Sequence, residues 1–153
     1  MKKIKIKENV GDFVKVIFDD NLHTYARIIN RGFLAFYDFK TNKEADINEI
    51  VSKPILFKIV VTSDAVETGR WTVIGNMPLE ANLKEVPMTY VEEIGYPGTY
   101  TIFHELDSRR ATKEECKNLE YATIWTPDFV EERLRDYYSG RPNIVLERHK
   151  LNY

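Results

Sequence analysis

The chain has 153 residues, 43% hydrophobic and 30% charged, with a formal net charge of −2. Such a length buries roughly 70% of the unfolded surface, enough for a core without staples. The charge balance excludes a global field for nucleic acid or an anionic membrane, and the lone Cys116 excludes an internal disulfide.

The first residues, Met1-Lys2-Lys3-Ile4-Lys5-Ile6-Lys7, are charged and lack a long apolar run, so they do not read as a secretory signal. Ile4 and Ile6 alternate with lysines, which predicts a short edge strand guarded against stray pairing. Gly11-Asp12 breaks that pattern. Val14, Val16 and Phe18 then alternate with Phe13, Lys15 and Ile17 and predict a second strand. Asp19-Asp20-Asn21 supplies turn residues. A third strand is expected from Leu22 to Ile29, and a fourth over Phe33–Phe39 after Asn30-Arg31-Gly32. Strands on such short turns form an antiparallel meander.

Asp46–Val51 predicts a turn of helix, and Pro54 leads into an apolar strand over Ile55–Thr62. Asp64 reads as a helix N-cap with Glu67 as its capping-box partner, and Gly69 as the left-handed stop. Ile55–Thr62 and Gly69–Glu80 together predict two buried strands joined by one tight turn. Trp71 and Val73 share one face, with Trp71 in the core, and Thr72 and Ile74 share the other. Arg70 pairs with Asp64 or Glu67, or else stays free for a partner. Pro78 and Pro87 bracket an irregular segment. Tyr90–Ile94 and Thr99–Glu105 flank Gly95-Tyr96-Pro97-Gly98 as a hairpin.

The character of the chain changes after Leu106. Thr112-Lys113-Glu114-Glu115 is a capping-box signature opening a short helix to Leu119. Thr126-Pro127-Asp128 opens a longer helix that ends at Gly140. On it Val130, Leu134 and Tyr137 make an apolar stripe, and Glu131 and Arg135 stand one turn apart as an ion pair. Ile144-Val145-Leu146 predicts a last strand. The whole reads as α+β and β-rich: an antiparallel meander in a small curled sheet or SH3-like partial barrel, with one or two C-terminal helices packed on it. One domain is expected over residues 1–153, mainly β through residue 106 and helical from 107 onward.

Catalytic signatures are missing. His104-Glu105-Leu106-Asp107-Ser108 begins like a zinc-protease motif, but Ser108 stands where the second His is needed. His23, His104 and His149 have no ligand spacing, and there is no phosphate loop, dinucleotide-binding glycine fingerprint or nucleophile elbow. Cys116 reads as a small packing residue. No cofactor or metal is implied. His23, Tyr25 and Tyr37, with Arg27 and Arg31 nearby, leave open a base-stacking face on the meander. An unrecognised enzymatic site using His104 and Glu105 is the third reading.

Several segments resemble the immunity protein 26 family. They are Gly11-Asp12, Tyr25-Ala26-Arg27-Ile28, Phe36-Tyr37-Asp38, Pro54-Ile55-Leu56-Phe57, Gly69-Arg70-Trp71, Val73-Ile74-Gly75 and Pro78-Leu79-Glu80. Glu114-Glu115-Cys116 and Val130–Asp136 fit more loosely. The resemblance implies a bacterial, cytoplasmic, non-catalytic protein of a polymorphic toxin system that binds a cognate protein toxin. Many such toxins act on nucleic acid through basic clefts, which acidic side chains can plug. Asp38, Asp64, Glu67, Arg70 and Glu80, all near the family-like turns, are the expected partner-binding residues. Membrane and nucleic-acid partners are not expected.

Overall fold

The computed structural model describes residues 4–153. The meander forms as the alternation dictates: β1 (Asp12–Asp19), β2 (Leu22–Ile28) and β3 (Phe33–Tyr37) pair antiparallel in sequence. Asn21 takes φ 60° in the first turn, a left-handed setting that Asn tolerates. Arg31 and Gly32 both take positive φ in the second, as a tight hairpin turn requires. After α1 (Ile47–Val51), capped by Asp46 through the Glu49 amide at 2.8 Å, β4 (Ile55–Val61) pairs with β3.

The tight β-turn expected between the next two strands is not there. Residues 62–71 carry the short α2 (Asp64–Glu67) and deliver β5 (Thr72–Asn76) to the far side of the meander, against β1. Ser63, not Asp64, is the N-cap residue of α2; the Asp64 carboxylate instead accepts from the Thr62 hydroxyl. The segment between Pro78 and Pro87 folds into α3 (Ala81–Lys84). A second sheet follows from β6 (Thr89–Glu92), β7 (Tyr100–His104) and β8 (Asp107–Ala111), so strand structure continues past residue 106. The capping box at Thr112 is real: the Glu115 carboxylate accepts from the Thr112 amide at 3.0 Å. The Glu115 amide returns to Thr112 Oγ1, but the box opens only a 3₁₀ turn over Glu114–Cys116.

Two short strands tie the sheets together. β9 (Glu120–Tyr121) runs parallel to β6, and β10 (Ile124–Trp125) runs parallel to β4. The sheet orders are β10-β4-β3-β2-β1-β5 and β8-β7-β6-β9. The fold is α+β with two mixed sheets, and no pairing among the described residues closes either into a barrel. The expected N-terminal edge strand starts in residues 1–3, outside the described residues. From Ile4 to Asn9 there is no strand, and Ile6 meets the fold through its amide on the Glu67 carbonyl.

Successive strand residues point to opposite faces, and both faces of the larger sheet are covered. One face carries Val14, Val16, Phe18, Ala26, Ile28, Leu34, Phe36, Phe57, Ile59 and Val61. Trp71, Trp125 and two residues of α4 (Pro127–Ser139), Val130 and Leu134, pack on it. On the other face, Phe13, Tyr25 and Tyr37 lie under Ile50, while Ile29, Phe33 and Ala35 lie under Leu83 and Val86. This double cover is why β3 is buried along its whole length. Gly11 is forced by its own close packing: at φ +94° an added Cβ would stand 2.4 Å from the Met77 carbonyl oxygen.

The C-terminal part departs from expectation in three ways. Tyr137 is exposed, and Arg133 takes the inward place on α4 beside Val130 and Leu134. The expected Glu131–Arg135 pair does not form; Arg135 donates to the Phe18 carbonyl at 2.7 Å. The expected last strand is instead α5 (Ile144–Arg148), because the Asn143 side chain caps the Val145 and Leu146 amides at 3.1 and 3.2 Å.

Two histidines make the fold acid-sensitive. Burial, and then Lys15, hold His23 below the usual imidazole range against weaker upward pulls from Glu44 and the Lys43 backbone. Burial and then Arg148 do the same for His149. The folded state therefore disfavours protons that the unfolded chain accepts near pH 6.5. Stability is fully present above about pH 6.5 and falls as the pH drops below it. Urea midpoints should fall between pH 7.5 and 5.5, each pH being a chosen setting of roughly one unit to either side of the free value. The fall should shrink in a His23→Gln/His149→Gln variant.

Candidate partner-binding surface

The five expected contact residues do not form one patch. Asp64, Glu67 and Arg70 come together on and just after α2. Arg70 does not pair with either of those carboxylates. Its Nε and Nη2 form a fork on Glu131 of α4 at 2.9 and 2.7 Å. The same Glu131 accepts from Trp71 Nε1 at 2.9 Å, so a buried Trp and an exposed Arg share one carboxylate. Glu131 was invisible as a partner, since it lies 61 residues from Arg70.

Around this fork the surface is acidic. Asp128 stands at the start of α4, its carboxyl held below the ordinary range mainly by the Thr126 hydroxyl. Glu8 lies near Glu67 and Asp12; burial first, then those two negative charges, push its carboxyl above the ordinary range. Asp64 and Asp128 thus flank one arginine whose charge is already matched by Glu131, and Glu67 with Glu8 beside it extends this acidic shoulder.

Asp38 and Glu80 lie elsewhere and serve the fold. Asp38 accepts from the Tyr137 and Tyr138 hydroxyls, both at 3.2 Å, near the far end of α4. Glu80 accepts from Arg27 Nη1 at 2.9 Å while its own side chain stays 38% exposed. Arg27 is fully buried. Its Nε donates to the Gly11 carbonyl at 3.1 Å, Nη1 to the Tyr37 hydroxyl at 3.2 Å, and Nη2 to the Met77 carbonyl at 2.7 Å. Its guanidinium also sits 4.0 Å over the Phe13 ring. Gly11, Tyr37, Met77 and Glu80, scattered along the sequence, therefore converge on a single cation, Arg27.

The base-stacking reading loses its motive here. Tyr25 and Tyr37 are buried under Ile50, His23 is buried beside Tyr25, and Arg27 is the hub just described. The meander offers no open aromatic face on which bases could stack. His104 and Glu105 sit on an exposed hairpin end, and no group of three or more His, Cys, Asp or Glu among the described residues could hold a metal. Cys116 is buried, and burial raises its thiol above the ordinary range, which suits packing and not nucleophilic attack. No helix among the described residues is long and apolar enough to cross a membrane.

The protein-family model for immunity protein 26 matches residues 9–97. The chain belongs to the immunity protein 26 family. The match takes in β1 to β6 with α1 to α3, and with them every residue around Arg27. The second sheet beyond β6, together with α4 and α5, lies outside it. Neither the curated proteins nor the solved structures gave a match.

Proposed function

We propose that this immunity protein neutralises a cognate bacterial toxin domain, in the cytoplasm of the cell that makes it, by binding and covering the toxin. The family match over residues 9–97 is the observation that carries this reading. The protein works without catalysis and as one domain, as the partner of a polymorphic toxin whose target is nucleic acid. The contact surface centres on Asp64, Glu67 and Arg70, with Glu8 and Asp128 beside them. Asp38 and Glu80, whose carboxylate oxygens already accept from Tyr137, Tyr138 and Arg27, lie apart from this centre and make peripheral contacts. An acidic shoulder of this kind suits a basic cleft, speeding encounter and rejecting partners of like charge. A stable complex would bury on the order of 1,600 Å².

The test is rescue in cells. Co-expression with the toxin domain encoded beside this gene should restore growth. An Asp64→Lys/Glu67→Lys variant should bind the toxin at least about tenfold more weakly, a loss near 1.4 kcal/mol, and should lose protection in plating. Growth arrest undiminished by the wild-type protein would overturn the function. Full rescue by the double variant would overturn the surface.

A further inference from the structure

An end strand of a sheet has one open side, a row of backbone donors and acceptors with no strand beside it. Among the described residues the end strands are β10 and β5 of the first sheet and β8 and β9 of the second. β9 and β10 hold two residues each, and β5 is bulged where it passes from Phe13 to Val14. β8 is both longer and regular. Asp107–Ala111 pairs with β7 in one unbroken register, and its residues from Asp107 to Arg110 are exposed.

The turn before β8 fixes where its backbone groups point. Glu105-Leu106 is a two-residue turn between the paired His104 and Asp107. Such a turn is closed by a hydrogen-bonded pair, and bonded pairs alternate along an antiparallel ladder. Asp107, Arg109 and Ala111 therefore bond to β7, while Ser108 and Arg110 turn their amides and carbonyls outward. No backbone group of another described element bonds to them, and the Arg110 carbonyl meets only Arg109 Nη1, at 3.4 Å. The side chains of Asp107 and Arg109 lie together on the face that carries Ile102. Glu115 holds Arg109 there through Nη1 at 2.7 Å, and no described residue accepts from its Nε or Nη2. Asp107 forms no ion pair with a described residue.

We propose that β8 is the edge through which two copies of this chain pair, antiparallel about Ser108, joining their second sheets into one. Backbone and charge select the same register. Two-fold pairing about Ser108 lets its outward amide and carbonyl exchange bonds with those of Ser108 in the other copy. Asp107 of each copy then stands opposite Arg109 of the other, in the non-bonded positions where facing side chains come closest. Leu106, 86% exposed, comes opposite Arg110 of the other copy, whose aliphatic stem covers it. Charges on an edge ordinarily keep copies apart. Pairing about Arg109 would do so, by setting arginine against arginine. The order Asp107-Ser108-Arg109 is instead complementary to itself, as a two-fold interface requires. The acidic shoulder takes no residue from the second sheet, so the dimer carries two shoulders, both open.

Sedimentation equilibrium of the full chain, with no toxin present, tests this. A ladder this short belongs to the small interfaces below about 1,200 Å². The chain is therefore run at about 100 μM, above a micromolar Kd. Wild type should sediment at twice the monomer mass. Arg109→Asp faces acid with acid, and Asp107→Arg faces arginine with arginine. Each variant alone should be monomeric, its self-association weakened at least about tenfold. Mixed in equal amounts, the two variants again set opposite charges against each other at both positions, and the dimer should return. That return also shows that both variants are folded. A monomeric wild type overturns the proposal. So does a dimer that survives either substitution, or one that fails to return when the variants are mixed. A monomer whose Ser108 and Arg110 amides gain protection from hydrogen exchange only when the toxin domain is added gives this edge to the toxin and overturns the pairing of copies. The toxin reading stands or falls on the plating assay, whichever of these results is found.

Discussion

Replacing Arg27 with Met should destabilise the protein by about 3–5 kcal/mol, the cost of removing one partner from a buried ionic network. At about 2–4 °C per kcal/mol for a chain of this size, the melting midpoint should drop by roughly 10 °C. The cause is specific. The guanidinium satisfies the Gly11 and Met77 carbonyls, the Tyr37 hydroxyl and the Glu80 carboxylate at once, and it packs on Phe13. Methionine fills the volume but leaves those acceptors buried or half-buried without a donor. Arg27→Lys should recover only part of the loss, since an ammonium on a flexible stem cannot reproduce the planar fork. Urea unfolding of the three proteins checks this. A midpoint for Arg27→Met equal to wild type would show that Arg27 does not hold these segments together.

Trp71→Ala should cost a comparable amount, about 3–5 kcal/mol, because it empties the centre of the larger core. Trp71 is fully buried and stands edge-on to Phe36 with ring centroids 5.8 Å apart. Its indole N–H also fixes Glu131, the carboxylate that holds Arg70 at the surface. Trp71→Phe keeps most of the apolar contact and should lose much less. It should also show coupling to Glu131→Gln in a double-mutant cycle, of about 0.5–3 kcal/mol as for contacting residues. Additive losses would mean that the core Trp and the surface fork are independent.

This linkage joins stability to the proposed binding surface. Glu131 gives α4 one attachment to the α2–β5 corner. Arg133, two residues on, gives it another: its guanidinium forks onto Glu120 of β9 at 2.8 and 2.9 Å and lies 3.8 Å over the Phe57 ring. One helix, through side chains on two of its faces, thus clamps both sheets. The acidic shoulder is built on that clamp, so its carboxylates keep fixed positions relative to the core, as preorganised recognition requires.

Much of this was legible where the deciding interactions are local. The meander was readable because alternation within each strand and the residues at Asn21 and Gly32 act over a few positions. The β6–β7 hairpin and the start of α4 at Pro127 were readable for the same reason. The crossover from β4 to β5 was not, because two adjacent apolar strands look like a hairpin whichever neighbour each pairs with. β8 was missed because Asp107-Ser108-Arg109-Arg110 is exposed throughout and shows no alternation. At α5 the apolar run Ile144-Val145-Leu146 favours a strand, but the Asn143 cap decides for helix, and that signal was present in the sequence. The surface was the least legible part. Arg70 does not pair with its near neighbours in sequence, and Glu80 meets a cation 53 positions away. Long-range ion pairs of this kind leave no spacing pattern.

In the proposed function the protein acts by covering a toxin in a fixed ratio, with no turnover of its own. The most direct measurement titrates the purified protein against a fixed amount of the toxin domain encoded beside its gene and reads the residual toxin activity. The account predicts a linear fall that reaches zero at a fixed molar ratio, with a complex of the same ratio on gel filtration. Complete loss of toxin activity at a small fraction of that ratio, with no complex formed, would contradict it.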